Sequence, residues 1–187
     1  MNTNTVNIIE ALLFASPEPL TQKKINIIFD DNPPNLEECI KVLSMKFEKN
    51  NHAVDILNIA GGYQLRTKSN YDLYVRRLLN KTGQLSLSQA ALETLSIVAY
   101  KQPISRIDIE SIRGVDCAGV LKTLLKKILI RIKGREDGPG RPLMYSTTDE
   151  FLQSFGLSRL ADLPKLKEIS DILNEQPALT QQIDAFK

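Results

Sequence analysis

Two stretches of this 187-residue chain share one pattern of residue types at an offset of 84 positions. Ala15-Ser16-Pro17-Glu18-Pro19-Leu20-Thr21-Gln22-Lys23-Lys24-Ile25 aligns with Ala99-Tyr100-Lys101-Gln102-Pro103-Ile104-Ser105-Arg106-Ile107-Asp108-Ile109. Each reads alanine, three spacers, proline, an aliphatic residue, a hydroxyl residue, three spacers and isoleucine. The same offset carries Ile8 onto Leu92 and Ile28 onto Ile112. A repeat of this kind points to two copies of one supersecondary unit rather than one large domain. Small units bury a smaller share of their surface, so each copy gains from a partner that covers more of it.

Each copy reads as the same order of elements. In the first, Val6, Ile9, Leu12, Leu13 and Ala15 suit a helix buried on one face. Pro17 and Pro19 stop it. Thr21 is placed to cap a second helix with Ile25 and Ile28 inward. After the loop 30–34, Asn35 caps a third helix with Glu38 at the capping-box position. Leu36, Ile40, Leu43 and Phe47 recur on one face of that helix. A strand at Val54–Ile59, a turn at Gly61-Gly62 and a strand at Tyr63–Thr67 complete a hairpin.

The second copy repeats that order. Leu92, Leu95, Ile97, Val98 and Tyr100 belong to its first helix, which Pro103 ends. Ser105 caps the next helix, with Asp108 at the reciprocal position, Ile109 and Ile112 inward, and Gly114 as its stop. Asp116 caps a third helix carrying Val120, Leu121, Leu124, Leu125 and Ile128. Strands at Ile130–Lys133 and Leu143–Thr147 flank the loop 134–142. Three helices and a β-hairpin make a winged-helix unit. The expected fold is therefore mainly α (α+β), with two tandem winged-helix domains. The boundaries are residues 1–81, residues 85–157 and a partly flexible tail at 158–187. A helical joint, Asn70–Asn80, leads to the boundary between the domains.

Composition restricts the chemistry. His52 is the single histidine and sits in a polar turn. Cys39 and Cys117 are far apart with no CxxC neighbour, which fits reduced thiols rather than a disulfide framework or a zinc cluster. The acidic pairs Asp30-Asp31, Glu37-Glu38 and Glu136-Asp137 suit capping and solvation, because adjacent residues on a helix do not face each other. The loop 134–142 lacks a Gly-Lys-Ser/Thr step, and no helix follows it. The expectation is no enzyme, no catalytic residue, no metal and no cofactor. The N-terminus lacks the basic start and apolar run of a secretion signal, and no apolar run approaches the ~18–20 residues that span a bilayer. A cytoplasmic protein without membrane contact is expected.

The net charge is +2, from 24 Lys+Arg against 22 Asp+Glu. The third helix of the first copy opens with Glu37-Glu38, which would repel phosphates. The second copy is more basic, with Lys122, Lys126 and Lys133 as candidate nucleic-acid contacts. A solvated basic face is the commoner reading of such residues. A DNA-binding winged-helix transcriptional regulator is thus one reading of the chain, and a partner-holding module the other.

Blocks of the sequence also resemble a known family. Residues 91–104 (Ala-Leu-Glu-Thr-Leu-Ser-Ile-Val-Ala-Tyr-Lys-Gln-Pro-Ile) strongly resemble the signature of bacterial segregation and condensation protein B. So do Ile112-Arg113-Gly114-Val115, Gly134-Arg135-Glu136-Asp137-Gly138-Pro139-Gly140-Arg141-Pro142-Leu143, residues 151–157, the opening residues 9–16 and Gly61-Gly62-Tyr63-Gln64-Leu65. The resemblance runs from about residue 6 to residue 166. It implies a homodimer formed through the N-terminal domain and kleisin binding through the C-terminal one. The partners it implies are the kleisin (segregation and condensation protein A) and the SMC ATPase, with DNA contacted indirectly or weakly. The implied role is chromosome condensation and segregation at the nucleoid during cell division. Tyr100, Lys101, Arg113, Arg135 and Arg141 are the candidate partner-binding residues. Core packing for Tyr100 and a helix-end bond for Arg113 remain equally open. Ile128 departs from the family pattern, which has a small or polar residue there.

Overall fold

The computed structural model describes residues 3–79, 87–137 and 140–165. The first unit contains α1 (Thr3–Ala15), α2 (Gln22–Ile28), α3 (Leu36–Lys49), β1 (Val54–Ile59) and β2 (Gly62–Thr67). A 3-10 turn at Ser69–Tyr71 leads into α4 (Asp72–Leu78). The second unit contains α5 (Gln89–Lys101), β3 (Ile104–Ser105), α6 (Arg106–Arg113), α7 (Ala118–Lys126), β4 (Ile130–Arg135), β5 (Leu143–Thr147) and α8 (Asp149–Phe155). Both units are three helices closed by an antiparallel hairpin, the winged-helix arrangement. Each has its own apolar core. Val6, Ile9, Leu13, Leu20, Ile25, Cys39 and Leu43 fill the first, and Leu95, Val98, Ile104, Ile109, Leu121, Leu124 and Leu129 the second. Each fully buried aliphatic side chain contributes about 1.5–3 kcal/mol of burial.

The repeat extends to hydrogen bonds. Leu20 and Tyr63 exchange backbone bonds at 2.8 and 2.9 Å. Ile104, at the equivalent place, pairs with Tyr145 in a three-stranded sheet of order β3-β5-β4. The sequence gives no sign of β3, because a two-residue strand has no period. Thr21, Asn35 and Ser105 cap their helices as expected. The box positions differ. The Glu38 amide bonds Asn35, but its carboxylate returns no bond, and the Asp108 carboxylate accepts from the Ser105 hydroxyl at 2.6 Å. Asp116 lies one residue before the N-cap position held by Cys117, and still accepts from the Ala118 amide at 3.3 Å.

Several apolar residues expected inside face solvent. Ile28 and Ile112 are 50% and 55% exposed, at equivalent positions of the two copies. Each sits near the end of a short helix whose preceding turn, at Ile25 and Ile109, already fills the core. Ile8 and Leu92, also equivalent, are exposed as well. The first hairpin turns at Ala60-Gly61, both left-handed at φ 50° and 71°, which is the turn type that matches strand twist. Gly62 therefore belongs to β2 rather than to the turn.

Three helices end in the same way. Asn51, Ile128 and Gly156 take left-handed φ of 48°, 59° and 67° after α3, α7 and α8. In each case the next residue's N–H reaches back five residues: His52 to Phe47, Leu129 to Leu124 and Leu157 to Leu152. This is the Schellman closure, which satisfies the last carbonyls. Ile128 thus leaves α7 rather than extending it, and is 64% exposed. His52 packs its ring on Phe47 at 4.9 Å between centroids, so it is a half-buried closing residue rather than a fully solvated one.

The two units meet at the tip of the first hairpin. The Ala60 and Gly61 amides donate to the carbonyls of Leu157 and Ser158 at 2.9 and 3.0 Å, and the Ser158 hydroxyl donates to Asn58 Oδ1 at 2.6 Å. Residues 158–165, assigned to the tail on sequence, form a 3-10 turn at Leu160–Asp162 closed by Arg159 and Asp162. Leu163 packs on the second core. Residues 80–86 and 166–187, which hold the domain boundary and the rest of the tail, lie outside the described residues.

Candidate functional site

The C-terminal end of α5 builds the most developed surface of the second unit. Gln102 closes the helix and ties it to β5: its amide nitrogen donates to Thr147 Oγ1 at 2.8 Å, and its carbonyl accepts from the Thr147 amide at 2.8 Å. That lock fixes the preceding turn, which holds Ala99 and Tyr100. Tyr100 is 39% exposed, and its hydroxyl donates to the Pro164 carbonyl at 2.7 Å. An open groove of about 650 Å³ lies there, lined by Ala99, Tyr100, Leu160, Ala161, Leu163 and Pro164. Its walls are apolar with few polar groups, which suits a protein segment better than a charged small molecule. Lys101 is exposed beside it.

Arg113 sits elsewhere. Its side chain is 8% exposed, and Nη2 donates to Glu93 Oε2 at 3.1 Å. Its Nε is buried with no hydrogen-bond partner among the described residues. Glu93 and Tyr100 are seven residues apart on α5, or about 10 Å of helix rise. Arg113 therefore ties α6 to α5 and does not join the groove. Arg135 and Arg141 form a third place, the wing. Arg135 Nη1 donates to the Arg141 carbonyl at 2.9 Å, and the Glu136 amide to the Pro142 carbonyl at 3.0 Å. The candidate residues thus divide into groove (Tyr100, Lys101), interhelix bridge (Arg113) and wing (Arg135, Arg141). Lys122, Lys126 and Lys133 are exposed on α7 and β4.

Residues 160–164 were not among the candidates on sequence. Their signal was there, since Leu160 and Leu163 sit at helical spacing before Pro164, but nothing in the spacing showed that they lie over α5.

Titratable groups are few. Glu110 is held down to about 2 by the Cys117 amide and the Arg106 guanidinium, at 3.0 and 2.6 Å. Arg106 also grips Asp116 at 2.6 Å. Cys39 and Cys117 are buried and unbridged, and burial pushes both thiols up, away from a reactive thiolate. Among the described residues, no group of three or more His, Cys, Asp or Glu could hold a metal, and no helix is long and apolar enough to cross a membrane.

Comparison with known proteins decides the family. Residues 7–166 match the family model of segregation and condensation complex subunit ScpB. The chain belongs to this family. Segregation and condensation protein B of Syntrophotalea carbinolica is 44% identical over 178 residues, covering 95% of this chain and 90% of that one. The Clostridium tetani protein of the same name is 46% identical over 170 residues, covering 91% and 90%. Among solved structures, a dimer of the ScpB N-terminal domain complexed with ScpA peptide is 24% identical, with a TM-score of 0.36, over 40% of this chain and 94% of that one. The match spans both winged-helix units, so neither copy is an addition to the family's plan. The chain is thus a segregation and condensation protein, and its work is chromosome segregation and condensation.

Proposed function

We propose that the chain is the non-catalytic, homodimeric, kleisin-binding subunit of the SMC–kleisin complex, acting in the cytoplasm at the nucleoid. The family match across residues 7–166 carries this reading. The surface chemistry supports it. Phe14, Ile27, Tyr74 and Leu78 are exposed on the first unit, and α4 buries none of its side chains. An apolar surface of that kind fits self-association. The groove beside Tyr100 fits a segment of the kleisin, with the SMC ATPase reached through that partner. Residues 1–81 are then the dimerising part and 85–157 the kleisin-binding part.

Co-purification with the cognate kleisin, read by light scattering, tests the proposal. A stable complex containing two copies of this chain is expected. Two folded partners that fail to associate would overturn it.

A further inference from the structure

The charge of the chain is not spread evenly. Residues 118–143 carry seven cations, namely Lys122, Lys126, Lys127, Arg131, Lys133, Arg135 and Arg141, against two carboxylates, Glu136 and Asp137. That segment alone is at +5, while the whole chain is at +2. All seven cations are exposed, and none is paired with a carboxylate among the described residues. The carboxylates just before the segment, Glu110 and Asp116, are both held by Arg106 at 2.6 Å. The first unit is built differently at the same place. Its α3 opens with Glu37, which holds Lys41 at 2.8 Å, and Lys46 is held by Glu10 at 2.8 Å.

The fold puts these cations on two consecutive elements, α7 with its closing turn and the β4 wing. Lys122 and Lys126 lie four residues apart on one face of α7, about 6 Å along its axis, close to two phosphate steps of about 3.4 Å on one DNA strand. The turn 127–129 joins α7 directly to β4, which carries Arg131 and Lys133 into the wing with Arg135 and Arg141. In a winged-helix unit this is the third helix and the wing, the parts that reach a groove and its flanking backbone. The exposed face of α7 carries no Arg, Asn or Gln, the side chains that pair bidentately with one base. Gly119 has no side chain, and the Thr123 hydroxyl donates to the Gly119 carbonyl at 3.0 Å. What remains is lysine, a point charge that suits phosphate.

We infer that α7 and the wing of the second unit form a sequence-independent binding surface for the phosphate backbone of duplex DNA. This goes beyond the kleisin-binding role and does not depend on it. Ile128 and Ile132 are exposed in the same segment, so an acidic protein segment is the competing occupant.

The test uses the full chain and two unrelated labelled duplexes, read by fluorescence anisotropy. Equal affinity for both is expected. Binding should fall about 10²–10³-fold between 50 and 200 mM salt, as phosphate contacts from about five of the seven cations at a slope of about 0.9 each require. Lys122→Glu with Lys126→Glu should weaken binding at least tenfold. Lys23→Glu with Lys49→Glu, two exposed cations of the first unit without an ion pair among the described residues, should leave it within twofold. Both variants should keep the parent's melting temperature and its kleisin complex. The inference is overturned by absence of duplex binding at 50 mM salt. It is also overturned by equal losses in both variants, or by polyglutamate competing as well as unlabelled duplex at matched charge.

Discussion

Ile128 at the end of α7 occupies the same left-handed closing position that Asn51 occupies at the end of α3, with φ of 59° against 48°. Asparagine tolerates that conformation and glycine prefers it, but a β-branched side chain is strained there. Ile128 is mostly exposed, so it regains little through burial. Ile128→Gly should therefore stabilise the second unit by about 1 kcal/mol, strain relief outweighing the added freedom of the unfolded chain. A urea midpoint that stays put or falls would count against this.

The Tyr100 hydroxyl ties the end of the 157–165 segment to α5, through the Pro164 carbonyl. Tyr100→Phe keeps the ring and removes the bond to the Pro164 carbonyl, a loss of about 0.5–1.5 kcal/mol. Amide exchange in residues 157–165 should rise several-fold while exchange in α7 stays unchanged. Unaltered exchange in that segment would show that apolar packing and the bonds to the first hairpin hold it without the hydroxyl.

Gly62 lies against the loop before α2. A Cβ there would stand 2.9 Å from Pro19 Cβ and 3.0 Å from the Leu20 carbonyl oxygen, both in a rigid stretch. Gly62→Ala should push the Leu20–Tyr63 bridge apart and cost about 1–3 kcal/mol, as overpacking does. Denaturant unfolding followed in the first unit measures it, and a parent-like midpoint would contradict the close approach.

Glu110 gives the second unit an acid-sensitive joint. Its folded-state carboxyl is depressed to about 2 from the usual 4.5. The stability this adds is complete above pH 4.5 and is lost as pH falls toward 2. Glu110→Gln should be less stable than the parent at neutral pH and show a flatter stability profile between pH 4.5 and 2. Melting temperatures across that range check it; parallel curves would place the acid response elsewhere.

The sequence carried the repeat down to its caps. Thr21 and Ser105 take the same role because a hydroxyl just before a short helix is placed to accept from the amide three residues on. Ile28 and Ile112 lie outside the core for a physical reason: periodicity marks a stripe, and a stripe on a seven- or eight-residue helix is wider than the core it meets. The site was less legible. Tyr100 and Arg113 belong to the same signature blocks, yet one edges a groove and the other bridges two helices, since their neighbours come from residues 164 and 93. Contacts over 64 and 20 residues of chain leave no local pattern.

The joint between the first hairpin and residues 157–158 rests on main-chain amides and carbonyls, with one serine hydroxyl beside them. Such a joint is nearly blind to side-chain identity. Substitutions at residue 60 have little reason to be answered by substitutions at residue 157, so co-varying pairs across a family would not reveal it. Alanine scanning would pass over it too. Only a proline at residue 60 or 61, which deletes an N–H, would cut it.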